Sequence, residues 1–148
     1  QIAPDGPVYQ AGTLSGNPLA VAAGRSMLGI LKDEPGIYDD LERAGARLED
    51  GVRAAIAKTD VVATPQRVGA MHCLYFTADE VTDWDTAANA DTEQFNRYFR
   101  AMLSQGIYLA PSQYEAGFIS TEHGDEDIER TIEAVHSALV TSRKEVGA

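Results

Sequence analysis

The chain has 148 residues, 44% of them hydrophobic and 24% charged, with a formal net charge of −11. That length holds one domain with a real core but not two generous ones, and the hydrophobic share excludes a disordered chain. The acidity argues against nucleic acid and against an anionic membrane surface as partners, because phosphate contacts need clustered Lys and Arg.

Residues 1–16 carry Pro4, Gly6, Pro7, Gly12 and Gly16 and read as a loop, without the charged-then-apolar layout of a secretory signal. The first residue is glutamine rather than methionine, which permits a trimmed or partial chain. Asn17-Pro18 predicts a helix start: Asn caps free amides, and Pro at the first helical position has no amide proton to satisfy. The helix is expected to run to about Lys32. Leu19, Ala22, Ala23, Met27, Ile30 and Leu31 occupy much of its circumference, which predicts near-complete burial.

Pro35-Gly36 breaks the pattern, and a second helix is expected from about Ile37 to Lys58. Leu41, Ala44, Leu48, Val52 and Ile56 give it one apolar face. Residues 61–64 and 68–77 then read as two strands separated by Pro65 and Gln66, the second of them central because both its faces are mainly apolar. Val68, Ala70, His72, Leu74 and Phe76 are assigned to one face, and Met71, Cys73 and Tyr75 to the other. Cys73 is the only cysteine, so no intrachain disulfide forms; a buried free thiol is expected, and a reducing compartment fits. Residues 79–93 hold six acids and no basic residue and read as a solvated loop that Trp84 anchors to the body.

Asp91, with Gln94 three places on, resembles a capping box and opens a third helix to Gln105, with Phe95, Phe99 and Met102 or Leu103 turned inward. Gly106 ends it. Residues 107–112 and 116–120 read as two more strands around a turn. The last helix is expected over about Asp125 to Lys144, with Ile128, Ile132, Val135 and Leu139 as its stripe and Gly124 at its start. The order from Gly36 onward predicts an α+β fold of two layers: a small, mostly antiparallel sheet with helices on one face. No stretch approaches the roughly eighteen apolar residues of a membrane span.

Two stretches invite chemistry. In "GTLSGN", Gly12 permits close backbone approach, and the amide and hydroxyl of Thr13 can both donate to an anion ahead of a helix start. From composition alone, a plain structural turn is the favoured reading of that stretch, ahead of an anion site. In "SQYEAGF", Glu115 follows a Pro-Ser-Gln turn, where a carboxylate reaches out from a rigid edge; by itself it reads as a surface glutamate. His72, His123 and His136 are too scattered for a metal site, and the acidic run lacks calcium-loop spacing.

"VYQAGTLSGNPLAVAAG" at 8–24 and "GIYLAPSQYEAGFIST" at 106–121 closely resemble the glutamate-1-semialdehyde 2,1-aminomutase family, a branch of the class III aminotransferases among fold-type I pyridoxal-phosphate proteins. The resemblance covers essentially the whole chain, as the carboxyl-terminal portion of a family member. It implies an isomerase that converts (S)-4-amino-5-oxopentanoate to 5-aminolevulinate for tetrapyrrole (porphyrin) synthesis, using pyridoxal and pyridoxamine 5'-phosphate. It implies that Gly12 and Thr13 donate to the coenzyme phosphate of the neighbouring subunit in a homodimer. Tyr9 would stand close to the partner's active site, and Glu115 near the substrate's amino groups. Residues 1–32 would then link to a large coenzyme domain and the dimer interface, with 33–148 as the small domain. Delivery of substrate from glutamyl-tRNA reductase and a cytoplasmic location follow from the same resemblance.

The family holds its coenzyme through a lysine of the preceding large domain. The lysines here are Lys32, Lys58 and Lys144, which read as solvated surface residues at helix ends and near the tail, so this portion alone is expected to be inactive. Two rival readings are a different class III aminotransferase and a non-catalytic protein derived from the same domain.

Overall fold

The computed structural model describes residues 1–143; Lys144, expected at the end of the last helix, lies outside the described residues. The elements are α1 (Pro18–Asp33), α2 (Gly36–Ala57), β1 (Thr64–Val68), β2 (Met71–Tyr75), α3 (Trp84–Ala88), α4 (Thr92–Ser104), β3 (Gly117–Phe118) and α5 (Asp125–Ser142). Contacts divide the chain into two compact units, the first Gln1–Ile37 and the second beginning at Tyr38.

In the first unit, residues 1–17 form a loop closed on itself by bonds such as Ala3 N to Val8 O at 2.8 Å and Val8 N to Gln1 O at 3.0 Å. Asn17 caps α1 as expected: its Oδ1 accepts from the amides of Leu19 (3.0 Å) and Ala20 (3.2 Å), with Pro18 in the first turn. The expected burial of α1 is not found. None of its residues is buried, and Leu19, Val21, Met27, Leu28 and Ile30 all face solvent. The apolar circumference is real, but no described residue of its own unit covers it.

The second unit is built on a three-stranded antiparallel sheet in the order β1-β2-β3, with β2 central as the sequence implies. The hairpin is displaced from the expected break. Pro65 and Gln66 lie inside β1, and the turn falls at Gly69-Ala70, where Gly69 has φ +57°, the positive value that two-residue hairpins need. Proline survives in β1 because this is an edge strand, where a missing N–H costs no ladder bond. The shift also moves Val68. It pairs with Met71 across the hairpin, and Met71 pairs with Phe118, so all three share the open face. Val68 and Phe118 are 72% and 67% exposed there.

The opposite face, with Pro65 and Leu74, meets the helices. Ala55 of α2, Phe95, Tyr98 and Met102 of α4, and Ala134, Val135, Ala138 and Leu139 of α5 form one buried cluster with Val61 and Phe76. Tyr98 and Phe76 meet edge to face at 5.5 Å. A second cluster joins Leu48, Ile119 and Ile128. The two-layer α+β expectation therefore holds, with α2, α4 and α5 on one face of the sheet.

Two expected elements differ. Residues 107–112 form no strand, and β3 is only Gly117–Phe118. The acidic run contains a short helix, α3, whose N-cap Asp83 and Thr86 bond reciprocally. The last helix does start at Gly124, whose amide donates to Asp127 Oδ2 at 3.1 Å.

Ion pairs stitch α2 to its neighbours. Arg67 of β1 reaches Glu42 (2.8 Å) and Glu49 (2.7 Å), which holds both carboxyls below the ordinary carboxylate range. Arg47 bonds Glu129 at 2.6 Å and also Asp125 of α5. Between those pairs, α2 and the hairpin approach so closely at Gly45 that a Cβ there would overlap the Gly69 carbonyl oxygen. Gly45→Ala gains about 1 kcal/mol of helix propensity, but backbone overlap costs about 1–3 kcal/mol. The overlap wins, because a carbonyl in a tight turn cannot swing aside. A urea titration should show net destabilisation of about 1 kcal/mol; an unchanged or raised midpoint contradicts the close approach.

Candidate functional site

Tyr9, Gly12 and Thr13 belong to the first unit and Glu115 to the second, so each group is described within its own unit. Gly12 opens a tight turn in which Ser15 N donates to Gly12 O at 3.0 Å. A Cβ at Gly12 would meet Ser15 Oγ, the end of a side chain that can turn aside, so the turn itself does not demand glycine there. Thr13 sits exposed at the crest of this turn, and its amide and hydroxyl have no hydrogen-bond partner among the described residues. Both donors are free for an anion just ahead of the capped start of α1. Tyr9 is 84% exposed.

Glu115 lies in a second tight turn. Its amide donates to Ser112 O at 3.1 Å, and Tyr114 N donates to Ser112 Oγ at 3.2 Å. The Cys73 thiol donates to Glu115 O at 3.8 Å, which ties the turn to β2. Gln113 turns inward and is only 3% exposed, while the Glu115 side chain stands outward and forms no ion pair or hydrogen bond among the described residues. The carboxylate is thus carried on a braced backbone and left free for a partner.

Glu115, Cys73, Leu109 and Gly117 border a cavity of about 70 Å³ behind the turn. Coenzyme and ligand pockets run to roughly 300–1,000 Å³, so this cavity alone is too small to hold a coenzyme. Burial pushes the Cys73 thiol up and the His72 imidazole down from their ordinary values, so both stay neutral near pH 7. The thiol is only partly buried, against the expectation of a buried one. His72, expected in the core, is likewise only partly buried, with its ring beside Gly117. Lys32 and Lys58 are exposed. No helix among the described residues is long and apolar enough to cross a membrane.

The chain is 51% identical over 138 residues to the glutamate-1-semialdehyde 2,1-aminomutase of Alkaliphilus metalliredigens, covering 93% of this chain and 31% of that one. It is 53% identical over 139 residues to the enzyme of the same name from Pelotomaculum thermopropionicum, covering 94% of this chain and 32% of that one. The chain is a relative of the glutamate-1-semialdehyde 2,1-aminomutases. It spans about a third of the length of these aminomutases. No family model matches it. Among solved structures, an omega-transaminase from Sphaerobacter thermophilus superposes with a TM-score of 0.74 at 23% identity, over 95% of this chain and 31% of that one. A beta-phenylalanine aminotransferase from Variovorax paradoxus superposes with a TM-score of 0.66 at 23% identity, over 91% of this chain and 31% of that one. At that identity the two transaminases establish the fold of the chain, and the aminomutases its kinship.

Sequence reasoning missed one contact near Glu115. Tyr114 lies tilted against Trp84 with ring centroids 5.1 Å apart. Trp84 is expected to anchor the acidic run, but nothing in the spacing names a partner thirty residues away.

Proposed function

We propose that the whole protein is a glutamate-1-semialdehyde 2,1-aminomutase, converting (S)-4-amino-5-oxopentanoate to 5-aminolevulinate, and that this chain is its carboxyl-terminal part. Identity of 51% and 53% along more than nine-tenths of the chain carries the reading. Pyridoxal phosphate, when bound, supplies the electron sink for the proton shifts of such a reaction. The donor set at the Gly-Thr turn suits its phosphate, since Thr13 offers an amide and a hydroxyl that bond nothing among the described residues.

In this reading Thr13 and Gly12 hold the coenzyme phosphate of a partner subunit, and Tyr9 lies at the subunit boundary. Glu115 accepts hydrogen bonds from the substrate's ammonium and disfavours a second substrate carboxylate there. Residues 1–32 link to a large domain that bears the coenzyme lysine, and residues 33–148 are the small domain. The uncovered apolar residues of α1 support this, because such a helix is stable in water only when another body covers it. A homodimer, a cytoplasmic location and supply by glutamyl-tRNA reductase belong to the same proposal.

The test is an assay of the full-length protein with glutamate-1-semialdehyde and no added amino donor or keto acceptor. Formation of 5-aminolevulinate is expected. Strict dependence on an added amino donor overturns the reading in favour of an ordinary aminotransferase.

A further inference from the structure

The acidic stretch 79–93 is held firmly to the body of its unit. Thr64 Oγ1 donates to Thr77 O at 2.9 Å and to Asp79 O at 3.2 Å, and Gln66 Nε2 donates to Val81 O at 2.9 Å. Asp91 N donates to Phe76 O at 3.0 Å, and Ala87 and Ala90 are buried. Between these fixings stands α3, closed at its start by the Asp83–Thr86 pair.

From the first residue of this pinned helix, Trp84 lies against Tyr114 with ring centroids 5.1 Å apart and planes at 51°. Trp84 is 64% exposed, so it adds little to the core. Its one ring–ring contact falls on the residue immediately before Glu115. The same turn is packed inward at Gln113, whose buried amide has no hydrogen-bond partner among the described residues, and the Cys73 thiol donates to Glu115 O. Tyr114 is exposed on the outer side of the turn, and Trp84 lies against it there.

We propose that Trp84 is a positioning residue: it clamps Tyr114 and so fixes where the Glu115 carboxylate stands, giving the acidic stretch a role in turnover without touching substrate. This rests on the reading of Glu115 as the substrate-end carboxylate. A loosened turn leaves the carboxylate present but displaced, which lowers turnover more than it weakens binding of the coenzyme.

The experiment is a double-mutant cycle in the full-length enzyme, with Trp84→Ala, Glu115→Gln and the pair combined, plus Trp84→Phe. Loss of one aromatic pair predicts a kcat about two- to tenfold lower for Trp84→Ala, with coenzyme Kd unchanged and most of the rate restored by Trp84→Phe. In the Glu115→Gln background, Trp84→Ala should cost nothing further, because the two residues act through one group. An unchanged kcat for Trp84→Ala while Glu115→Gln is impaired overturns the clamp alone. The same fractional loss in both backgrounds also overturns it. Full activity of Glu115→Gln removes the carboxylate's role, and the clamp with it.

Discussion

Thr13→Ala in the full-length enzyme is expected to raise the coenzyme dissociation constant by about tenfold to a hundredfold. The hydroxyl would donate a charge-assisted hydrogen bond to a phosphate oxygen, and such bonds are worth about 1.5–3 kcal/mol net, where each 1.4 kcal/mol or so is a factor of ten. The turn should survive the change. Its closing bond joins the backbones of Ser15 and Gly12, and the Thr13 side chain takes no part. Thr13→Ser keeps the hydroxyl and should bind coenzyme nearly as well as the parent. Spectroscopic titration of pyridoxal phosphate into the apoenzyme reads both, and equal dissociation constants for Ala and Thr at this position defeat the phosphate role.

The legible parts of the fold are those where one local rule decides. Asn17-Pro18 announces α1, and the one-sided stripes of α2 and α5 place Leu48, Ile128, Val135 and Leu139 in the core. Where two rules compete, the sequence misleads. Proline at position 65 looks like a break, yet an edge strand tolerates it and the positive φ at Gly69 sets the hairpin instead. Residues 107–110 form an apolar run that reads as a strand, but β2 is paired on that side only at Met71 and His72. The short helix α3 hid among carboxylates, although Asp83 with Thr86 three places on is the capping signal that marks it.

Burial of α1 failed for a different reason. Its composition states that the helix is to be covered, and composition cannot say by what. The Gly-Thr turn shows the same limit at the site. A Cβ at position 12 would meet only Ser15 Oγ, which can turn aside, so packing within the turn gives no reason for the glycine. What distinguishes the turn is the pair of free donors on Thr13, which only the structure displays. The brace around Glu115 was equally invisible, since Cys73, Trp84 and Glu115 meet only through tertiary packing.

Glu115→Gln follows from that brace. The substitution keeps size and shape, removes the charge, and replaces one carboxylate oxygen by a donor. Because the side chain is exposed and bonds nothing among the described residues, folding stability should stay within about 0.5 kcal/mol. Coenzyme affinity should not change either. The loss should appear in turnover: pairing with a substrate ammonium is a charge-assisted bond of about 1.5–3 kcal/mol, which lowers kcat/KM by roughly tenfold to a hundredfold. Glu115→Asp retains the charge but withdraws it by one methylene, so it should fall between parent and Gln. Steady-state rates with single-turnover spectra separate the steps, and normal interconversion of intermediates in the Gln variant removes Glu115 from the chemistry. An equal loss in melting temperature and rate would instead make it a structural residue, which its outward, unpaired carboxylate contradicts.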